Sequence, residues 1–190
     1  MLVPPRKGIP HYRDLAGLGG CPTVMRWIWI DTFVEFVSGE RASAVKNVTL
    51  AEDHLDDYGG SPGVFPPSLM IEGMAQTAGL LVGEARGFRE NVILAKIRRA
   101  EFEGYARAGD RLRYDAVIES LDERGSVTSG TVLVGDKPIG RVDLIFSHVG
   151  AADTPDGVPN ENFVFTDNFM NLLQAIRDAK SEGSGSADGK

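Results

Sequence analysis

One stretch near the middle of the chain, residues 66–85, restricts the fold more than any other. It reads PPSLMIEGMAQTAGLLVGEA, and a double proline suits a helix start, where a missing N–H costs nothing. The predicted helix is apolar on nearly every side, so other elements have to enclose it. Its one central carboxylate, Glu72, would be costly to bury without a partner. The sequence therefore predicts that Glu72 is either paired or part of the protein's chemistry.

Six further segments are typical of β-strands. They lie at residues 27–39, 40–50, 91–104, 110–123, 125–136 and 137–149. ERGS and VGDK are typical of hairpin turns between the later strands. We therefore expect an α+β domain, with an antiparallel sheet wrapped around one long central helix and the last four strands forming a meander.

Composition excludes several classes of protein. The net charge of −7 argues against nucleic acid as the main partner, because phosphate binding needs clustered positive charge. Cys21 is the only cysteine, which leaves no intramolecular disulfide, and no Cys/His spacing suggests zinc. No apolar run approaches a membrane span or a secretory signal. The sequence predicts a cytoplasmic protein with no membrane span, no metal and no cofactor.

The two ends of the chain differ in composition from its middle. Residues 1–23 are rich in Pro and Gly and are expected to form an N-terminal extension, followed by the folded domain at 24–150. Residues 151–180 are predicted to form a linker and a short amphipathic helix. Residues 181–190 have the composition of a disordered tail.

Four motifs are shared with a known family: KNVT at 46–49, FPPSLMIEGMAQTAG at 65–79, ILAKIRRAEFEGYARAGDRLRYDAVI at 93–118 and GRVDLIFS at 140–147. In these motifs the chain resembles the hotdog-fold 3-hydroxyacyl-acyl-carrier-protein dehydratases of the FabZ/FabA type. The resemblance implies a hotdog fold and an acyl thioester on acyl carrier protein as the substrate. A homodimer or higher homo-oligomer is expected, since the fold leaves an exposed edge strand that pairs with its copy.

The resemblance also implies roles for individual residues. In the family, a helix Glu handles the departing hydroxyl, and a loop His from the other subunit removes or relays the proton next to the thioester carbonyl. Carried over, the acid is Glu72, and Gln76 matches the family's helix Gln one turn later. Backbone N–H groups at the helix start polarise the carbonyl, and Ser68 and Leu69 are the nearest donors. With Phe65, these residues form the predicted substrate-binding set.

The loop histidine of the family is missing. Its position, fourteen residues before Glu72, holds Tyr58, and a shifted alignment places Gly60 there. A phenol with a pKa of about 10 is a poor base at neutral pH, although Tyr58 could donate a hydrogen bond to the substrate and is taken as the second catalytic candidate. His54, four residues upstream, is either a solvated loop histidine or a displaced base, and we favour the former.

Three functions remain open at this point. The first is dehydration of 3-hydroxyacyl thioesters by Glu72, with help from Tyr58 or a water. The second is a non-catalytic subunit that binds an acyl chain or carrier protein, or pairs with an intact dehydratase. The third is a thioesterase on the same fold, in which Glu72 and water suffice.

The charged residues could also have roles unrelated to catalysis or binding. Glu72 could pair with Arg98, Arg99 or Arg107 and have a structural role only. A basic group could receive the acidic carrier protein and its phosphopantetheine phosphate, or could simply be solvated. Its members are Lys96, Arg98, Arg99, Arg107, Arg111 and Arg113.

Overall fold

The structure is a computed structural model, and it describes residues 27–55 and 63–150, together with Gln174. It contains six strands, one turn of 3₁₀-helix at Asp53–Leu55 and one long helix. The strands are β1 (Thr32–Val37), β2 (Arg41–Asn47), β3 (Asn91–Phe102), β4 (Arg111–Leu121), β5 (Gly125–Val134) and β6 (Lys137–Val149), and the helix is α1 (Pro67–Ala85). All strand pairs are antiparallel, in the order β1-β2-β4-β5-β6-β3.

This order confirms the predicted α+β fold but corrects one connection. The last four strands do not form a simple meander: β4, β5 and β6 do, whereas β3 lies at the far edge beside β6. The chain crosses over after β3, and β4 pairs with β2, with Ala44 opposite Tyr114. Strand periodicity gives the position of each strand in the sequence, but it does not fix which strands become neighbours.

The helix packs on the inner face of the sheet and supplies much of the core. Met70, Met74 and Leu81 are completely or almost completely buried, and so is Tyr114 on β4. Each such side chain contributes roughly 1.5–3 kcal/mol of hydrophobic stabilisation. Gly73 lets the helix approach the sheet closely, because a Cβ atom there would lie 2.5 Å from Cζ of Tyr114.

One stripe of the helix is not covered by the sheet. Ser68 is exposed, and Ile71, Glu72 and Ala75 are only partly buried. These residues recur at helical spacing and therefore share one side of α1. The sheet thus encloses the helix less completely along these residues, which we call the uncovered stripe.

Strand β3 forms an unprotected edge. It pairs with β6 along one side, and residues 94–100 are all exposed. Two large apolar side chains are among them, Leu94 (37% exposed) and Ile97 (45% exposed). An exposed edge strand of this kind is a template for pairing with another chain. The predicted dimer remains a prediction.

Several predicted features lie outside the described residues. They include the extension at 1–23, Tyr58, and the linker and tail after residue 150. Gln174, within the predicted C-terminal helix, is helical and exposed. In the part of the chain that the structure describes, no helix has the length and apolarity needed to cross a membrane.

Candidate active site

The start of α1 offers few free backbone donors. Pro66 is the N-cap and Pro67 the first helical residue, and neither has an N–H. The N–H groups of Leu69 and Met70 both donate to the carbonyl of Pro66, at 3.0 and 3.2 Å. Of the two predicted donors, Ser68 and Leu69, only Ser68 therefore has an N–H without a hydrogen bond to a described residue. The first turn has no acidic residue, so nothing there offsets the positive end of the helix dipole.

Gln76 connects Glu72 to the segment before β1. Its Nε2 donates to Oε1 of Glu72 and to the carbonyl oxygen of Trp27, both at 3.0 Å. Its Oε1 accepts the N–H of Trp29 at 2.7 Å. Gln76 is 9% exposed, and these bonds fix both ends of its amide. Gln76 thereby holds the Glu72 carboxyl on the uncovered stripe, and Oε2 of Glu72 makes no hydrogen bond to Gln76.

The structure does not support the alternative of an arginine partner for Glu72. Arg99 pairs with Glu101 at 2.8 Å, and within residues 27–55 and 63–150 neither Arg98 nor Arg107 forms an ion pair with Glu72. The hydrogen-bond partner of the Glu72 carboxyl among the described residues is thus a neutral amide and not a cation.

His54 is not the solvated loop histidine that the sequence favoured. It lies in the 3₁₀ turn, and its ring contacts those of Trp29 and Phe65 edge-on, with centroids 4.8 and 5.3 Å away. Its Nε2 lies 2.8 Å from Oε2 of Glu52. Two aromatic rings and a carboxylate therefore exclude most of the solvent, and the expectation of a solvated side chain is wrong.

Phe65, one of the predicted substrate-binding residues, is completely buried. Its ring lies 6.0 Å from that of Trp29, and its N–H donates to the carbonyl of Ala106 at 2.8 Å. Phe65 therefore anchors the start of α1 to the chain before β4. Its contact with substrate stays a prediction.

The comparisons with known proteins agree with this architecture. A family model described as a FabA-like domain matches residues 25–142. A 3-hydroxyacyl-[acyl-carrier-protein] dehydratase FabZ of Granulibacter bethesdensis is 36% identical over 118 residues, which cover 60% of this chain and 68% of the relative. This chain belongs to the FabA-like family.

Other relatives extend the same picture. The FabZ dehydratase of Levilactobacillus brevis is 33% identical to this FabA-like chain over 66% of its length and 85% of the relative. Solved structures also share the fold. The dehydratase heterocomplex ApeI:P of Xenorhabdus doucetiae has a TM-score of 0.56 and 16% identity, and the match covers 66% of this chain and 86% of that one. The conserved protein PA5202 of Pseudomonas aeruginosa has a TM-score of 0.53 with 20% identity, covering 62% and 87%.

Sequence reasoning missed a polar cluster in this FabA-like domain, formed by Lys46, Glu52 and His54. Lys46 is only 7% exposed, and its Nζ lies 2.9 Å from Oε1 of Glu52. The sequence carried a weak signal, because Glu52 and His54 are two residues apart in a short polar turn. Lys46 is separated from them by the end of a strand, and only the folded chain brings the three together.

A second histidine is expected to make the stability of this FabA-like domain depend on pH. The His148 side chain is fully buried, and burial lowers its pKa below the ordinary value, although nearby Glu90 and Asp122 act in the opposite direction and Arg86 in the same one. The unfolded chain takes up this proton near pH 6.5 and the folded chain only at lower pH. The free energy of unfolding should therefore fall as the pH drops below about 6.5, by at most about 1.4 kcal/mol per pH unit. Urea denaturation between pH 7.5 and pH 5 measures this slope.

The matched variant is His148→Phe, which keeps a planar ring and removes the titrating group. Its slope between pH 6.5 and pH 5 should be shallower than that of the native chain. Equal slopes for the two proteins would show that His148 does not cause the acid sensitivity.

Proposed function

We propose that this chain removes water from 3-hydroxyacyl thioesters carried on acyl carrier protein, with Glu72 as the acid of the site. The observation that carries the proposal is the partly buried Glu72 carboxyl, bonded to Gln76 on the uncovered stripe of α1. Membership of the FabA-like family supports it, as do relatives named as dehydratases of this substrate class.

The proposed elimination assigns each proton. Glu72, in its protonated form, gives its proton to the hydroxyl on C3, and a base takes a proton from C2. The C3–O and C2–H bonds break, a C2=C3 double bond forms, and water leaves. Gln76 donates to one oxygen of Glu72, which leaves the other to face the substrate. General acid–base catalysis of this type contributes about 10²–10⁴ in rate.

The start of α1 has a supporting role in this proposal. The negative charge that develops on the thioester oxygen would accept the N–H of Ser68, at the positive end of the helix dipole. Because the two prolines have no N–H, Ser68 is the single free backbone donor that we assign to the first turn. A helix start without prolines would offer more donors to the thioester oxygen. In this proposal Tyr58 donates a further hydrogen bond.

The test of the function is direct. Purified protein is incubated with a 3-hydroxyacyl-acyl carrier protein, and the loss of one water from the acyl group is followed by mass spectrometry. Formation of the enoyl product supports the proposal. Release of free thiol instead would indicate the thioesterase, and an unchanged substrate would contradict both enzymatic functions.

An exposed arginine lies close to the helix start, where it could contact the acidic carrier protein. Arg107 is exposed, and its backbone pairs with that of Val64, two residues before the N-cap of α1. In the described residues Arg107 has no ion pair. We propose that the carrier protein and its phosphopantetheine phosphate approach from this side.

Arg107→Glu is expected to raise KM for an acyl-carrier-protein substrate by roughly 5- to 10-fold, because reversing an exposed charge changes the interaction by about 1 kcal/mol. The kcat should stay near that of the native chain. A short N-acetylcysteamine thioester serves as the control substrate, because it lacks the carrier protein, and its KM should not change. An equal rise of KM for both substrates would contradict a carrier-protein contact.

The second candidate is a non-catalytic or partner subunit of the cytoplasmic fatty-acid pathway. Two observations favour it: Tyr58 occupies the position of the loop histidine, and one structure with the same fold is named as a dehydratase heterocomplex. In this reading, as in the first, we propose that the domain at 24–150 pairs along β3 with a second chain. Native mass spectrometry showing a retained acyl ligand, with no turnover, would favour the partner subunit.

A further inference from the structure

The side-chain amide of Gln76 has only one orientation that fits its neighbours. The backbone N–H of Trp29 donates to its Oε1 at 2.7 Å, and the backbone carbonyl of Trp27 accepts from its Nε2 at 3.0 Å. A backbone N–H only donates and a carbonyl only accepts, so a rotated amide would place donor against donor and acceptor against acceptor. The backbone of residues 27–29 therefore decides which atom of Gln76 faces Glu72.

This orientation determines how Gln76 meets the Glu72 carboxyl. Toward Glu72 the amide presents an N–H, which donates to Oε1 at 3.0 Å. Because Oε1 accepts this bond, the protonated form of Glu72 carries its proton on Oε2. In the elimination proposed above, Oε2 is the oxygen that faces the departing hydroxyl.

The side chain of Trp29 holds this backbone in place by packing. Its ring lies edge-on to those of Trp27, His54 and Phe65, with centroids 5.1, 4.8 and 6.0 Å away. Nζ of the buried Lys46 lies 5.8 Å from the centroid of the Trp29 ring, within the range of a cation–π contact. Nε1 of the indole is buried without a hydrogen-bond partner among the described residues. The contribution of the Trp29 side chain is therefore the packing of its ring.

We propose that Trp29 is a positioning residue for the acid of this site. Its ring anchors the backbone that fixes the Gln76 amide, and Gln76 directs Oε2 of Glu72 toward the substrate. The inference rests on the dehydratase function proposed above. Without the ring, the backbone before β1 loses its anchor and the Glu72 carboxyl loses its fixed direction. A displacement of about 1 Å in a reacting group can lower the rate by about 10²-fold.

The first experiment compares Trp29→Ala with Trp29→Phe. We expect Trp29→Ala to lower kcat for dehydration by about 10- to 100-fold, with little change in KM. Trp29→Phe keeps a ring against His54 and Phe65 and should retain most of the native kcat. Leu121→Ala is the matched control, because it removes another partly buried side chain that packs against the core, at the end of β4. It should keep the native kcat even if its Tm falls as far as that of Trp29→Ala.

A double-mutant cycle separates positioning from a general loss of packing. Gln76→Met removes the amide, keeps an unbranched side chain of similar length and should itself lower kcat. If Trp29 acts through Gln76, adding Trp29→Ala to Gln76→Met should lower kcat by no more than about twofold further. Effects that multiply, or a native kcat in Gln76→Met, would contradict the inference.

NMR of the Gln76 side chain gives a readout that does not depend on activity. Both Nε2 protons are bonded in the native chain, so they should exchange slowly with solvent. Exchange should become faster in Trp29→Ala and stay slow in Trp29→Phe. Circular dichroism establishes that each variant is folded, and Trp29→Leu, which keeps apolar volume without a ring, replaces Trp29→Ala if that variant does not fold.

The outcomes separate this inference from the proposed function. An active native chain whose folded Trp29→Ala variant keeps its kcat would overturn the role of Trp29 and leave the dehydratase function standing. Slow exchange of the Gln76 amide in that variant would likewise show that the ring does not anchor it. A native chain that is inactive on every 3-hydroxyacyl thioester would overturn the function itself, and the inference with it.

Discussion

Replacing Glu72 with Gln should lower kcat/KM for water elimination by about 10²–10⁴, or roughly 3–5 kcal/mol of transition-state stabilisation. The amide keeps the shape of the carboxyl and can still hydrogen-bond to Gln76, but it cannot protonate a departing hydroxyl. The measurement is the rate of enoyl formation from a 3-hydroxyacyl-acyl carrier protein. KM should change little, because the size of the site is preserved.

Glu84→Gln is the matched control, because Glu84 lies near the other end of α1 and accepts a hydrogen bond from Ser38 at 2.6 Å. Its activity should stay close to the native value. If Glu72→Gln turned over as fast as Glu84→Gln, the chemistry assigned to Glu72 would be wrong, whatever the fold.

Gly73→Ala should destabilise the domain by about 1–2 kcal/mol, although alanine is the better helix former. The new methyl group would lie 2.5 Å from Cζ and 2.6 Å from Oη of Tyr114, and Tyr114 is completely buried. Overpacking of this kind typically costs 1–3 kcal/mol, which exceeds the gain of up to about 1 kcal/mol in helix propensity. Thermal denaturation should show a Tm lower by several degrees.

Gly79→Ala is the control on the same helix. Its methyl group would meet only Cε1 of Phe146, at 3.7 Å, which is ordinary van der Waals contact. This variant should gain up to about 1 kcal/mol from helix propensity. A Gly73→Ala variant as stable as Gly79→Ala would show that the ring of Tyr114 can move, and would contradict the close packing of α1 on β4.

The parts of the fold that could be predicted from the sequence are those that depend on local patterns. The apolar run with its double proline gave α1, and turn residues such as Gly135 gave the hairpins. The placement of Glu72 and Gln76 on one side of the helix followed from their spacing of four, and the two side chains do bond. Local spacing gives these features because neighbouring residues on a helix have fixed geometry.

The features that could not be predicted depend on contacts between distant parts of the chain. Gln76 bonds to Trp29, 47 residues earlier, and no helical or strand period links the two. His54 was taken for a solvated residue because its neighbours in sequence are polar, whereas its neighbours in space are Trp29 and Phe65. The edge position of β3 likewise depends on which strands pair, and that is decided by the whole sheet.

The unprotected edge of β3 has a consequence for how such proteins diverge. Pairing along a strand edge uses main-chain amides and carbonyls, which are the same in every sequence. If β3 pairs with a second chain as proposed, a related polypeptide with a strand of matching length and twist can take the place of an identical copy without new side chains at the interface. Gene duplication could then leave one member of a mixed pair to lose a reactive side chain while the other retains it.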